Sequence, residues 1–171
     1  MIKTIKRYPM RINPLTLNNT HHLIFLFVFN QLAKERRGFP GKGPGMLYII
    51  LGDAPYYHVT NYISSRFPEK VWSIDRAHQP SQSGNVRYIK ADANRCPYRL
   101  PPEVKRVVLL AVRSDCNLNK IISQIRRSNV QLWAINVTCS QGGCSHYNEQ
   151  IISKPTADLF LNYYLNRIQI V

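Results

Sequence analysis

The sequence predicts an α/β fold: a mostly parallel, doubly wound sheet with helices on both faces. Three observations carry that expectation. Short apolar, β-branched runs alternate with segments of helical spacing. Several of those runs end in glycine or an acid, residues that turn a chain at the end of a strand. The run Val107-Val108-Leu109-Leu110-Ala111-Val112 is unbroken apolar, as a strand covered on both faces must be.

The first repeat sets the pattern. Leu47 to Leu51 reads as a strand, Gly52-Asp53-Ala54-Pro55-Tyr56-Tyr57-His58 as a turn, Val59 to Phe67 as a helix and Val71 to Asp75 as a second strand. This is the order of a βαβ unit. Glycine lets the chain turn tightly at the strand's carboxyl edge, where open α/β sheets bind ligands, and an acid after the second strand can accept hydrogen bonds from ribose hydroxyls. The dinucleotide spacing G-x-G-x-x-G is absent, and Tyr56 and Tyr57 stand where small residues would admit a cofactor.

The remaining elements follow in order. Residues 1–19 read as a basic N-terminal arm ahead of a single domain, residues 20–171. Lys3, Lys6, Arg7 and Arg11 fit either an arm laid on phosphates or a frayed terminus that is merely basic. Asn18, Asn19 and Thr20 cap a helix from His21 to Arg37, which Gly38 and Pro40 close. Arg76 to Asn85, with Pro80 and Gly84, is predicted to be a loop. Val86 to Asp92, Val104 to Val112 and Gln131 to Val137 are predicted strands. Asn117 to Arg127 is an amphipathic helix with Leu118, Ile121, Ile122 and Ile125 on one side. After Gly142-Gly143, the segments Glu149 to Ser153, Ala157 to Tyr164 and Arg167 to Val171 are expected to supply an antiparallel edge.

Composition narrows the function classes. With 44% apolar and 11% aromatic residues, the chain is excluded from the disordered class. A balance of 23 Lys and Arg against 9 Asp and Glu gives +14, which points to a polyanionic partner, most often nucleic acid. The alternative is a solvated basic surface or an acidic protein neighbour. Cys96, Cys116, Cys139 and Cys144 do not form a disulfide framework, and Cys139, Cys144 and His146 fit no standard zinc spacing, so reduced thiols and no metal are expected. Leu23 to Phe29 is too short for a bilayer span, which needs about 20 residues.

Taken together, the quoted segments resemble S-adenosylmethionine-dependent methyltransferases of the Rossmann-like class. More narrowly, they resemble the poxvirus cap-specific mRNA 2′-O-methyltransferases, which also serve as stimulatory subunits of the viral poly(A) polymerase. Leu51-Gly52-Asp53-Ala54-Pro55-Tyr56-Tyr57-His58 is similar to that family's strand followed by Gly-x-Ala-Pro-Gly-x-His, and Trp72-Ser73-Ile74-Asp75 to its Trp-x-x-Ile-Asp. Leu110-Ala111-Val112-Arg113-Ser114 is similar to its Ser-Asp-Val-Arg-Ser, and Ala157-Asp158-Leu159 falls where it has Ala-Glu-Met. The resemblance implies a cofactor edge made of Gly52, Asp53, Ala54, Pro55, Asp75, Asp92 and Val112. For Asp75 and Asp92, the residue type fits equally an acid that caps a loop at a strand end.

The departures shape the functional expectation. The family transfers a methyl group with a Lys-Asp-Lys-Glu set, because attack by a ribose hydroxyl needs a tuned base or a polarising lysine. Here Ala111 stands at the acid, Trp133 near the strand-five lysine, and Thr20 to His22 near the first lysine; only Asp158 keeps an acid. Tyr56 replaces the glycine beside the methionine moiety. The chain is therefore expected to be an inactive methyltransferase-like domain, viral, without S-adenosylmethionine, located in the host cytoplasm or the virion and not in a membrane. It is expected to contact RNA or a viral protein through Lys3, Lys6, Arg7, Arg11, Arg113, Arg126 and Arg127, with arginine suited to phosphate by its bidentate fork. Tyr56, Tyr57 and His58 read either as a base-stacking platform or as packing over a closed pocket. The competing expectations are an active RNA methyltransferase that uses Lys90, Asp115 and Asp158, and a structural protein of a virion.

Overall fold

Met46–Leu51 (β2) carries no charged residue and is buried at all six positions. A strand with no solvated face belongs in the middle of a sheet covered on both sides. The computed structural model, which describes residues 3–6, 30, 43–54, 57–112, 116–137, 159–164 and 167–170, places it there. β2 pairs in parallel with Lys70–Asp75 (β3) on one side and Arg106–Val112 (β6) on the other. β1 (Lys3–Lys6), β4 (Ser81–Ser83), β5 (Val86–Lys90), β7 (Gln131–Val137), β8 (Leu159–Tyr164) and β9 (Arg167–Ile170) complete a sheet of order β1-β9-β8-β7-β6-β2-β3-β5-β4.

The strands from β5 to β8 in that order are all parallel. Antiparallel pairs bound them: β4 on β5 at one edge, and β9 on β8 followed by β1 on β9 at the other. The chain moves outward from β2 through β3 to β5, then returns to β6 and moves the opposite way. That reversal falls between β2 and β6, the point outside the carboxyl ends of the strands at which open α/β sheets generally hold ligands.

Two helices whose ranges are described lie on opposite faces of the sheet. α2 (Leu118–Arg126) buries Leu118, Ile121, Ile122 and Ile125, the one-face spacing of its sequence. They join a core with Leu47, Ile49, Leu51, Trp72, Ile74, Leu109, Ala111 and Leu132. α1 (His58–Arg66) takes the other face: Thr60 bonds Ser73, which alternates with Trp72 and Ile74 along β3, and Phe67 just beyond α1 stacks on Tyr48 at 5.2 Å. The α/β class with a parallel centre is thus observed. Among the described residues no helix is long and apolar enough to cross a membrane.

Several local expectations change. Arg76 to Asn85 contains β4, an exposed Ser-Gln-Ser strand on β5. Gly84, at φ 58, makes the tight turn into β5, and a three-residue polar strand has no apolar alternation to reveal it. The strand predicted to run to Asp92 ends at Lys90, and the one predicted from Val104 begins at Arg106. β8 continues the parallel register, so the antiparallel edge starts only at β9. Lys3–Lys6, read as part of a basic arm, pairs with β9 as β1. Of the predicted helix from His21 to Arg37 only Asn30 is described, and it is helical. Glu149 to Ser153, Gly142-Gly143 and the Cys139, Cys144, His146 group lie outside the described residues.

Candidate functional site

Parallel strands bring their carboxyl ends to one edge, and the residues expected to form a cofactor site follow those ends. Gly52, Asp53 and Ala54 come directly after β2, Asp75 ends β3, Asp92 lies just past β5, and Val112 ends β6. Pro55 and Tyr56 lie outside the described residues, as do Arg113, Ser114, Asp115 and Asp158. Gly52 takes φ 76 and donates its N–H to Ile74 O at 3.3 Å, a conformation that a side chain would strain.

The three acids are engaged within the fold. Asp53 is buried, and its carboxylate accepts the N–H groups of Val59 (3.2 Å) and Thr60 (2.7 Å), while its carbonyl accepts Tyr57 N–H (2.8 Å). It therefore serves the first turn of α1, whose own cap residue, Tyr57, offers no side-chain cap. Asp75 Oδ1 accepts Ala77 N–H at 2.8 Å, closing an Asx turn. Asp92 Oδ2 receives Arg76 at 2.6 Å, with Arg95 at 4.0 Å, and Oδ1 accepts Asn94 N–H at 2.9 Å. The loop-capping geometry is thus present at Asp75 and Asp92, and the guanidinium of Arg76 ties the loop after β3 to the loop after β5.

Beside these acids stands a polar and aromatic cluster of which only Tyr57 has a sequence forecast. Thr60 Oγ1 lies 3.0 Å from Ser73 Oγ, which lies 2.9 Å from His78 Nε2. His78 is fully buried and its Nδ1 has no hydrogen-bond partner. Its ring stacks on Tyr57 at 5.2 Å, and Tyr88 meets both rings edge-on at 5.5 Å. Tyr57 sits at φ 53, ψ 27, a left-handed conformation that costs about 1 kcal/mol for a residue with a Cβ, and the ring contacts hold it there. The Tyr57 ring is half-buried against His78 and Tyr88, and His58 is exposed at the start of α1. A Ser inside an apolar strand and a Thr in the facing helix signal a buried polar partner, but nothing in the sequence points to His78 as that partner.

Burial holds the His78 imidazole below its ordinary value, against the opposing pull of Asp75 and Asp53. The N–H of Asn94 and the Arg76 guanidinium hold the Asp92 carboxyl below the usual range. Both shifts act in the same direction. The unfolded chain takes up protons that the folded one resists, so stability falls on acidification. The loss begins near pH 6.5 for His78 and below about 4 for Asp92. Denaturant midpoints measured from pH 8 to pH 3 are expected to show both steps, with the lower one reduced in Asp92→Asn and, to a smaller extent, in Arg76→Ala, the remainder belonging to Glu103, whose carboxyl is held low by Lys70. A lower step unchanged by Asp92→Asn would remove Asp92 from this role.

The residues expected to contact nucleic acid are not gathered in one place. Lys3 and Lys6 lie on β1 at the far edge of the sheet, whereas Arg126 and Arg127 end α2 near the amino ends of the strands. Arg126 donates to Val130 O at 2.8 Å and so closes the turn into β7. Arg7, Arg11 and Arg113 lie outside the described residues.

Compared with family models, curated proteins and solved structures, the chain matches none.

Two strand positions bear on the catalytic set that the resemblance implies. Ala111 is fully buried within the core that faces α2, and its register partner on β7 is Asn136; Trp133 pairs instead with Val108. The residue beside Ala111 on β7 is therefore Asn136. Lys90 is exposed at the end of β5 in register with Asp75.

Proposed function

We propose that this chain is a catalytically inactive, methyltransferase-like domain that binds RNA through its basic surface, as an accessory or structural subunit of a viral RNA-processing assembly. The observation that carries the reading is charge. The chain holds +14, and the exposed side chains of Arg87, Lys90, Arg99, Lys120 and Arg127 have no carboxylate partner among the described residues. Unneutralised cations on a folded surface favour a polyanion. The reversal of strand order at β2 and β6 supports descent from a nucleotide-binding sheet, since it is the winding of dinucleotide folds. The commitment of Asp53 to α1, the ring packing of Tyr57 and the methyl group at position 111 support loss of the chemistry.

Two titrations test the proposal. Calorimetry with S-adenosylmethionine and with its demethylated product is expected to show no binding. Single-stranded RNA is expected to bind, weakening steeply as salt rises. Micromolar cofactor binding would overturn inactivity in favour of an RNA methyltransferase using Lys90, Asp115 and Asp158. Absence of RNA binding at low salt would overturn the nucleic-acid reading in favour of an acidic protein partner.

A further inference from the structure

We infer that one phosphate of the RNA backbone docks between the guanidinium groups of Arg76 and Arg95, in front of Asp92. The inference rests on the RNA reading above and gives it a place, the carboxyl edge of the sheet where β3 and β5 end. Arg76 follows β3 and Arg95 lies in the loop after β5; parallel pairing, with Asp75 opposite Lys90, brings both to that edge. Arg76 Nη2 lies 2.6 Å and Arg95 Nε 4.0 Å from the same oxygen, Asp92 Oδ2. The two guanidinium groups are thus near enough for one phosphate to take a hydrogen bond from each. Their side chains are 75% and 88% exposed and that of Asp92 only 22%, so the carboxylate stands behind and the cations in front.

Charge and geometry together select the ligand. Two cations share one carboxylate, which leaves one positive charge in excess; the other ion pair between described residues, Lys70–Glu103, is one to one. Asp92 is itself fixed through Oδ1 by the N–H of Asn94 at 2.9 Å, and a fixed carboxylate holds the Arg76 fork at the edge before a ligand arrives. Only one nitrogen of Arg76 meets Asp92, and the rest of the fork has no partner among the described residues. Arg95, at 4.0 Å, is outside hydrogen-bond range, and an exposed pair of that length contributes little, so its side chain turns to a ligand at small cost. α2 begins beside this loop: Asn117 N–H donates to Asn94 Oδ1 at 2.6 Å, and with no acid in its first turn the positive end of the helix adds to the same field. Asp75, the other carboxylate of this edge, accepts Ala77 N–H at 2.8 Å and lies opposite Lys90 in the register. A phosphate, whose oxygens do not lie in one plane, reaches both forks from solvent while Asp92 keeps its own bonds. An acidic protein segment would meet the same forks, and the test separates it.

The test is fluorescence anisotropy of a short labelled oligouridylate across a salt titration, using the full chain. One single-strand phosphate contributes about 0.7 to the salt exponent, so Arg76→Ala/Arg95→Ala should lower the slope by about 0.7 and weaken binding about fivefold at 0.1 M salt. Lys70→Ala/Lys105→Ala removes the same charge at the amino ends of β3 and β6 and should leave binding within about twofold. Arg95→Ala alone leaves the Arg76–Asp92 bond in place; it should keep the urea midpoint of the unaltered protein and still weaken RNA binding about two- to threefold, which a purely structural role would not do. Unchanged binding in Arg76→Ala/Arg95→Ala, or an equal loss in Lys70→Ala/Lys105→Ala, would exclude this edge while the RNA reading stands. If the unaltered protein binds no RNA, the broader reading fails first and this inference with it. Displacement of the RNA by polyglutamate at equal charge concentration, lost in Arg95→Ala, would overturn the phosphate assignment in favour of an acidic protein segment.

Discussion

Asp53→Ala is expected to cost about 2–4 kcal/mol of folding stability and to fray the first turn of α1, although Asp53 lies outside that helix. Its carboxylate accepts two backbone N–H groups, from Val59 and Thr60, and both residues are fully buried. Removing the acceptor leaves two donors without water, and each orphaned buried donor costs about 1–3 kcal/mol. α1 has no acid in its first turn, so nothing nearby replaces the charge at the positive end of the helix. Asp53→Asn keeps one acceptor oxygen and should lose about half as much. Urea midpoints measure the cost, and amide exchange at Val59 and Thr60 locates it. Unchanged midpoints with unchanged protection would show that the helix start is held some other way. The result also bears on function, because any ligand taking the Asp53 oxygens must first displace them from α1. Asp75 is the cleaner position at which to test for a ribose contact.

How much of this was legible in the sequence follows from what each feature depends on. The central strands and α2 were legible because burial writes a period into the chain: a fully apolar β2, a β6 apolar from Val107 onward, and apolar residues at 118, 121, 122 and 125. β4 was not, because a short edge strand is held by hydrogen bonds to β5 and by a glycine turn, with no core-facing side chain to mark it. The acids at the ends of β2 and β3 and just past β5 were found by position, but position does not reveal occupation. Asp53 serves a helix and Asp92 an arginine through contacts that only folding brings together. His78 shows the same limit: its partner Ser73 lies 5 positions upstream, and Thr60, which bonds Ser73, lies 18 positions upstream on a different element.

The second large effect concerns Ala111, where the resembled family carries an acid. Ala111→Asp is expected to destabilise the fold by roughly 3–5 kcal/mol, the range for an uncompensated charge in a protein interior. Ala111 is fully buried, pairs with Leu51 on β2 and Asn136 on β7, and belongs to the same cluster as Cys116, Leu118 and Ile122. Pairing across parallel strands puts its Cβ on the face covered by α2. A carboxylate there meets apolar side chains and is driven toward its neutral form. Had the position opened into the crevice at the carboxyl edge, the same substitution would be solvated and nearly neutral in cost. Guanidinium denaturation of Ala111→Asp distinguishes the two. A loss of several kcal/mol, growing as the pH is raised and the new carboxyl ionises, identifies position 111 as part of the core, so an acid placed there would not act as a catalytic group. A cost below about 1 kcal/mol, the range of ordinary surface substitutions, would place the side chain in water and reopen the enzymatic reading at this edge.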